Sequence, residues 1–340
     1  MYVALWNRVT DFDPADLDRA FIDRTIVKAT VVRITIHAVD ARDYPAFHEA
    51  MQPSLRASRL YDSRFSVAGV SIDETDALLP DLLASTDRPR TGAELDAWLD
   101  DRLAPRPGKP VGWAIRTFAP LHHVPTGGPW SFGQPRRYVS AEEAGGPPRT
   151  GDPEASLVWL ARRYLDGFGP ATMLDFAQFA MVQRARARGA FRVLVDRGDA
   201  VTLAGPVGAE LFDVPGGLLP PEDTPAPPRL LPMWDGTLLA YVDRSRIIPP
   251  EYRPHATRKN GDVLPTLLVD GYVAGVWRPV ADGIEVTAFH ALPDDAWAAI
   301  ETEARGMRAF LADREPLIYH GRYAHWWATL PAAEVRVLGD

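Results

Sequence analysis

Residues 153–205 read PEASLVWLARRYLDGFGPATMLDFAQFAMVQRARARGAFRVLVDRGDAVTLAG, and their order decides the architecture. Pro153–Leu165 has the spacing of a helix, with Leu157, Leu160, Ala161 and Tyr164 on one apolar stripe. Gly167 and Gly169 stop it, and Pro170 opens a second helix over ATMLDFAQFAMV. FRVLVD and AVTLAG then read as two strands joined by Arg197-Gly198-Asp199. Helix, Gly turn, helix and strand pair is the order of a winged-helix unit.

Related blocks precede it. Asp13-Pro14 opens a helix, Val27–Val39 reads as a β run by its Val, Ile and Thr content, and Asp40–Met51 as a second helix. Thr91–Leu103 has a capping-box pattern, Thr91 with Glu94, and an apolar face of Leu95, Trp98, Leu99 and Leu103. Residues 118–140 read as two strands around a Gly-Gly-Pro turn at Gly127–Pro129. After residue 229 the pattern changes. Thr266–Arg278 is a hairpin turning at Asp270-Gly271, Ile284–Phe289 a further strand, Leu292–Asp313 a helix, and Glu334–Val337 a last strand.

The 32 prolines, about twice the usual share, cluster at Ala104–Pro110, Gly145–Pro153 and Pro215–Pro228. The last two clusters mark joints. The expected organisation is α+β: tandem winged-helix modules over 1–79, 80–151 and 152–214, a Pro-rich linker over 215–228, and a small β-barrel-like domain over 229–340.

Composition narrows the chemistry. With no Cys in 340 residues, disulfides, Cys-ligated metals and thiol nucleophiles are excluded. The N-terminus MYVALWNRVTDFD lacks the pattern of a signal peptide, and runs such as Leu238–Val242 are too short to span a bilayer. A cytoplasmic monomer is expected, with no membrane contact. The net charge of −8 opposes sequence-blind coating of DNA but allows a local basic face. Arg dominates the cations, since Lys28, Lys109 and Lys259 are the only lysines.

Several clusters carry two readings each. Gly167–Thr172 lacks the third Gly and preceding strand of a dinucleotide loop, so it reads as a helix-turn-helix joint. Gln183–Arg192, with Arg184, Arg186 and Arg188, is either a phosphate-facing patch or a solvated helix end. Trp130, Phe132, Arg136 and Arg137 either enter a DNA groove or pack on a neighbouring module. His122 and His123, adjacent on a strand, point to opposite faces and make poor partners for one metal. Asp235 and Asp243 read as structural ion-pair partners or as acid–base groups. Arg33, Thr35 and His37 alternate on a strand and share one face, lining a cleft or simply exposed. Neither H-E-x-x-H nor G-x-S-x-G occurs, so no metal site and no cofactor are expected.

Four stretches, VKATVVRITIH (27–37), YLDGFGPATMLDFAQF (164–179), LLPMWDGTLLAYVDRSRII (230–248) and LLVDGYVAGVWR (267–278), resemble the bacterial winged-helix DNA-binding family that includes the AlkZ- and YcaQ-like DNA-crosslink glycosylases. The resemblance implies a C-shaped tandem winged-helix body, duplex DNA in its concave face, and Arg33–His37 near the lesion. It also implies a Gln-x-Gln or Gln-x-Asp pair that polarises the attacking water, at a position that would precede Met1. Gln52, Gln134, Gln178 and Gln183 form neither pattern, so none receives that role. The expected function is duplex DNA binding by a protein resembling glycosylases that excise alkylated or cross-linked bases. The alternative is an inactive regulatory or scaffold protein using winged helices for protein or small-molecule contacts.

Overall fold

The computed structural model describes residues 1–141 and 151–339. Helix α1 (Tyr2–Trp6) is followed by α2 (Pro14–Ile22), whose N-cap Asp13 accepts the Ala15 N–H at 2.8 Å, with Pro14 in the first turn. The β run expected over 27–39 is instead a hairpin. Strands β1 (Ile26–Thr30) and β2 (Ile36–Asp40) pair antiparallel, with Lys28 opposite Ala38 and Ala29 opposite His37. Between them Arg33 and Ile34 both sit at φ 58°. Non-glycine residues rarely adopt that conformation, and the turn carries no Gly, Pro or Asn. Arg33 therefore stands at the hairpin tip, off the strand face it was expected to share with Thr35 and His37.

Three helices follow: α3 (Tyr44–Leu60), α4 (Ser63–Ser66) and α5 (Ile72–Ser85). Strand β3 (Arg90–Thr91) leads into α6 (Gly92–Leu103), where the capping box of Thr91 and Glu94 is formed and Leu95, Leu99 and Leu103 are buried. Helix α7 (Lys109–Phe118) leads to β4 (Leu121–His123) and β5 (Arg137–Ser140). These two strands pair, but a long loop separates them, so Gly127–Pro129 lies within that loop rather than forming a tight hairpin turn. One antiparallel sheet, ordered β2-β1-β4-β5-β3, takes strands from both of the first two expected modules. A shared ladder ties the strands of residues 26–40 to those of residues 90–140. Most of the Pro/Gly joint at 145–153 lies outside the described residues.

Next come α8 (Pro153–Phe168), α9 (Met173–Ala180) and α10 (Arg184–Arg197), then a two-stranded hairpin of β6 (Val201–Ala204) and β7 (Glu210–Asp213). FRVLVD, expected as a strand, is the end of α10. Ala187, Ala190, Phe191 and Leu194 are all buried, at the i, i+3, i+4, i+7 spacing of one helix face. Packing on α8 and α9 overrides the β propensity of Val193 and Val195. Gly198, at φ 74°, ends the helix in the left-handed conformation. Helix α3, burying Ala50, Met51 and Leu55, packs on α8, which buries Leu157 and Ala161.

Residues Asp13–Gly217 form one compact unit, and Met1–Phe12 joins Leu218–Asp340 in the other. The second unit contains β8 (Arg229–Leu231), α11 (Arg253–Ala256), β9 (Thr266–Val269), β10 (Tyr272–Val280), β11 (Gly283–Ala288), α12 (Asp294–Ala312), α13 (Ala324–Trp327) and β12 (Glu334–Leu338). Asp270 and Gly271 both have positive φ, as the two-residue β9–β10 turn demands. The strand order is β12-β11-β10-β9-β8. Among the described residues β8 and β12 do not pair, so this is an open sheet where a barrel-like closure was expected. Trp277, fully buried, anchors it by donating its indole N–H to the Leu231 carbonyl at 2.8 Å. No helix among the described residues is long and apolar enough to cross a membrane.

Candidate functional site

Strand β2 is an edge of its sheet, and along it runs a cavity of about 480 Å³ walled on the other side by α8 and the end of α9. That volume suits a small ligand. The wall combines His37, Asp40, Asp43, Arg163 and Asp166 with a cluster of aromatic rings. Tyr164, Phe168 and Phe179 lie with ring centroids 5.2 to 5.5 Å apart. Their spacing follows from α8 turning once between Tyr164 and Phe168.

The carboxylates are fixed by neighbours. Asp43, the N-cap residue of α3, is mostly buried. It accepts the Trp159 indole N–H at 3.0 Å and the Arg163 Nε at 3.1 Å, both from α8. The Arg42 guanidinium, at 2.7 Å, holds the Asp40 carboxyl below the usual carboxylate range. Asp166 accepts from Arg162 and Arg163. Within the wall itself, three carboxylates face one guanidinium. The imidazole of His37 adds no charge, because burial lowers its pKa, nearby Arg33 adds to the lowering, and the Thr35 carbonyl 3.0 Å from Nδ1 opposes it. Counting Arg42 and Arg162 behind it, each carboxylate has an arginine partner, and the aromatic faces beside them suit a flat ring. Among the described residues no three His, Asp or Glu side chains are grouped to hold a metal.

The expected site residues divide. His37 lines the cavity, while Thr35 is exposed and bonds the Val32 carbonyl of its own turn at 3.2 Å. Arg33 is not among the lining residues and donates to the Phe179 carbonyl at 3.2 Å at the end of α9. That is a structural contact with the negative end of a helix. Arg184 and Arg188 are exposed on α10 and, with Arg192, form an i, i+4 row without hydrogen-bond or ion-pair partners among the described residues. Arg186 turns inward to Glu154 at 2.5 Å and the Ala50 carbonyl at 3.1 Å. Arg136 and Arg137 are exposed at the start of β5, and Trp130 is half-buried in the preceding loop. Phe132 faces inward, edge-on to Phe21 at 4.8 Å. Sequence reasoning missed Asp43, Trp159 and Arg163. The Asp before Tyr44-Pro45 was a visible cap signal, but its pairing with α8 was not.

A family model for AlkZ-like DNA glycosylases matches residues 1–310. The chain belongs to the AlkZ-like DNA glycosylase family. The AlkZ-like chain is 26% identical over 159 residues to the interstrand DNA cross-link repair glycosylase of Streptomyces sahachiroi, covering 45% of this chain and 42% of that relative. The matched stretch is thus less than half of the relative's length. The solved structure of Streptomyces sahachiroi DNA glycosylase AlkZ superposes with a TM-score of 0.72 at 21% identity, over 93% of this chain and 88% of that one. At that identity the likeness is one of fold. It agrees with the mixed α+β character, and the family match ends within α12.

Proposed function

We propose that this protein is a DNA-repair glycosylase that binds duplex DNA and admits a cationic, alkylated base to the cavity beside His37. One observation carries the reading: in a member of this family, the wall of that cavity sets carboxylates beside aromatic rings. Alkylation at a purine ring nitrogen makes the base a planar cation. Such a ring stacks on Phe168 or Phe179 and gains from Asp40, Asp43 and Asp166. A cationic base is already a good leaving group, so the protein need only orient water and stabilise the positive charge that develops on the sugar. Asp43, clamped by Trp159 and Arg163, is pre-organised for the second task.

The helix-helix-helix-hairpin order of α8, α9, α10, β6 and β7 supports a winged-helix module, with Arg184, Arg188 and Arg192 on its third helix meeting phosphates. Arg136, Arg137 and Trp130 would extend the contact on a separate loop. The deciding experiment incubates the purified chain with duplex DNA containing 7-methylguanine and measures released base. Release above the uncatalysed rate is expected. Tight, salt-sensitive duplex binding without release would leave a DNA-binding protein without the chemistry and overturn the glycosylase reading.

A further inference from the structure

A second cavity, of about 220 Å³, lies over β1 and β4 rather than along the edge strand β2. Lys28, Arg24, Phe21, His122 and His123 contribute to its lining. Lys28 stands opposite His123 in the ladder, and its ammonium nitrogen lies 3.9 Å from the centroid of the Phe132 ring. Among the described residues Lys28 has no hydrogen bond and no ion pair. Its charged and titratable surroundings are Arg24, Arg136, His122 and His123, without a carboxylate. A half-buried lysine normally pairs with an acid; this one has only a ring face and neighbours that are cationic or neutral.

We propose that Lys28 is a nucleophilic amine that captures aldehydes, and that its substrate is the C1′ aldehyde of an abasic deoxyribose in duplex DNA. The inference rests on the duplex-binding part of the proposed function, because hydrolysis of an N-glycosidic bond leaves that aldehyde. The chemistry balances without a redox partner. The Lys28 nitrogen bonds to C1′ and its lost proton passes to the former carbonyl oxygen; a second proton, from solvent, lets that oxygen leave as water and gives a protonated imine. Two features of the cavity favour the first step. Burial lowers the Lys28 pKa to about 8, with Arg136 adding to the effect, so free amine is present near neutrality. Burial also lowers the His123 pKa to about 3, with Lys28 and Arg136 adding, so its imidazole is neutral and gives Lys28 no counter-charge that would hold it protonated. Among the described residues the two cavities share no lining residue.

The test uses the whole chain, a duplex with one preformed abasic site, and sodium borohydride, which reduces an imine to a stable amine. With three lysines in the sequence, peptide mapping has few candidates beside the N-terminal amine. The expected result is a trapped adduct at Lys28, lost by at least about tenfold in Lys28→Arg and retained in Lys109→Arg and Lys259→Arg. Duplex affinity and thermal midpoint of each variant are measured in parallel. An adduct undiminished in Lys28→Arg, or an abasic duplex that binds without any adduct, overturns the inference and leaves duplex binding standing. If the duplex does not bind, the duplex-binding reading fails by itself. Glycolaldehyde with cyanoborohydride then reads the amine directly. Labelling of Lys28 over exposed Lys109 and Lys259, with a midpoint near pH 8, supports its nucleophilicity; equal labelling of all three overturns it.

Discussion

The Arg8 guanidinium donates to the Asp235 carboxylate at 2.6 Å, joining residues 227 positions apart within one compact unit. The Asp235 side chain is fully buried and also accepts the Thr237 N–H at 2.9 Å, capping the short turn Gly236–Leu238. Asn7 reinforces the same junction, donating to the Leu230 carbonyl at 3.0 Å. Of the two readings the sequence allowed for Asp235, this geometry favours the structural one. Arg8→Ala leaves the carboxylate buried without its counter-charge, and a loss of about 3 kcal/mol is expected in urea unfolding. An unchanged midpoint would show that the pair is not what holds residues 1–12 to their sheet.

Arg33 and Arg188 are expected to separate cleanly. Arg33→Met removes the bond to the Phe179 carbonyl and lowers stability by about 1.5 kcal/mol. It should leave the salt dependence of duplex binding alone. Arg184→Ala with Arg188→Ala should do the reverse, lowering the slope of log affinity against log salt by about 1 per arginine at unchanged stability. A flat slope in the parent chain would remove α10 from any DNA contact.

Asp43→Asn keeps a side chain of the same size between Trp159 and Arg163 but removes the charge. Release of 7-methylguanine is expected to fall by about tenfold to a hundredfold with duplex affinity little changed. Equal rates in the two proteins would show that this carboxylate does not stabilise the reacting sugar.

His123 links stability to acid. Its pKa is about 3 in the folded chain against an ordinary 6.5, so the unfolded chain binds the proton more readily. The neutral ring's contribution is complete above about pH 6.5 and is lost as pH falls through the window down to about 3. Between pH 6.5 and 5 the parent should lose about 1 to 2 kcal/mol more than His123→Asn, read from urea midpoints. Parallel curves for the two proteins would count against a desolvated imidazole.

The sequence by itself determined what depends on neighbours along the chain. Asp13-Pro14, the Thr91–Glu94 box and Asp270-Gly271 each satisfy backbone groups within a few residues, so their helices and turn lie where the pattern put them. The four stretches resembling the glycosylase family pointed to the family whose model matches the chain. Only the tertiary structure decided the rest. The turn at Arg33-Ile34 has no local signal and is accompanied by a contact to α9, 146 residues away. FRVLVD became helix because Phe191 and Leu194 found α8 and α9 to pack against. Asp43, Trp159 and Arg163 meet only because α3 lies on α8, and Arg186 left the basic row because Glu154 was in reach. Cavities and buried charges are properties of segments distant in sequence, and the free energy that selects them is packing and desolvation rather than propensity.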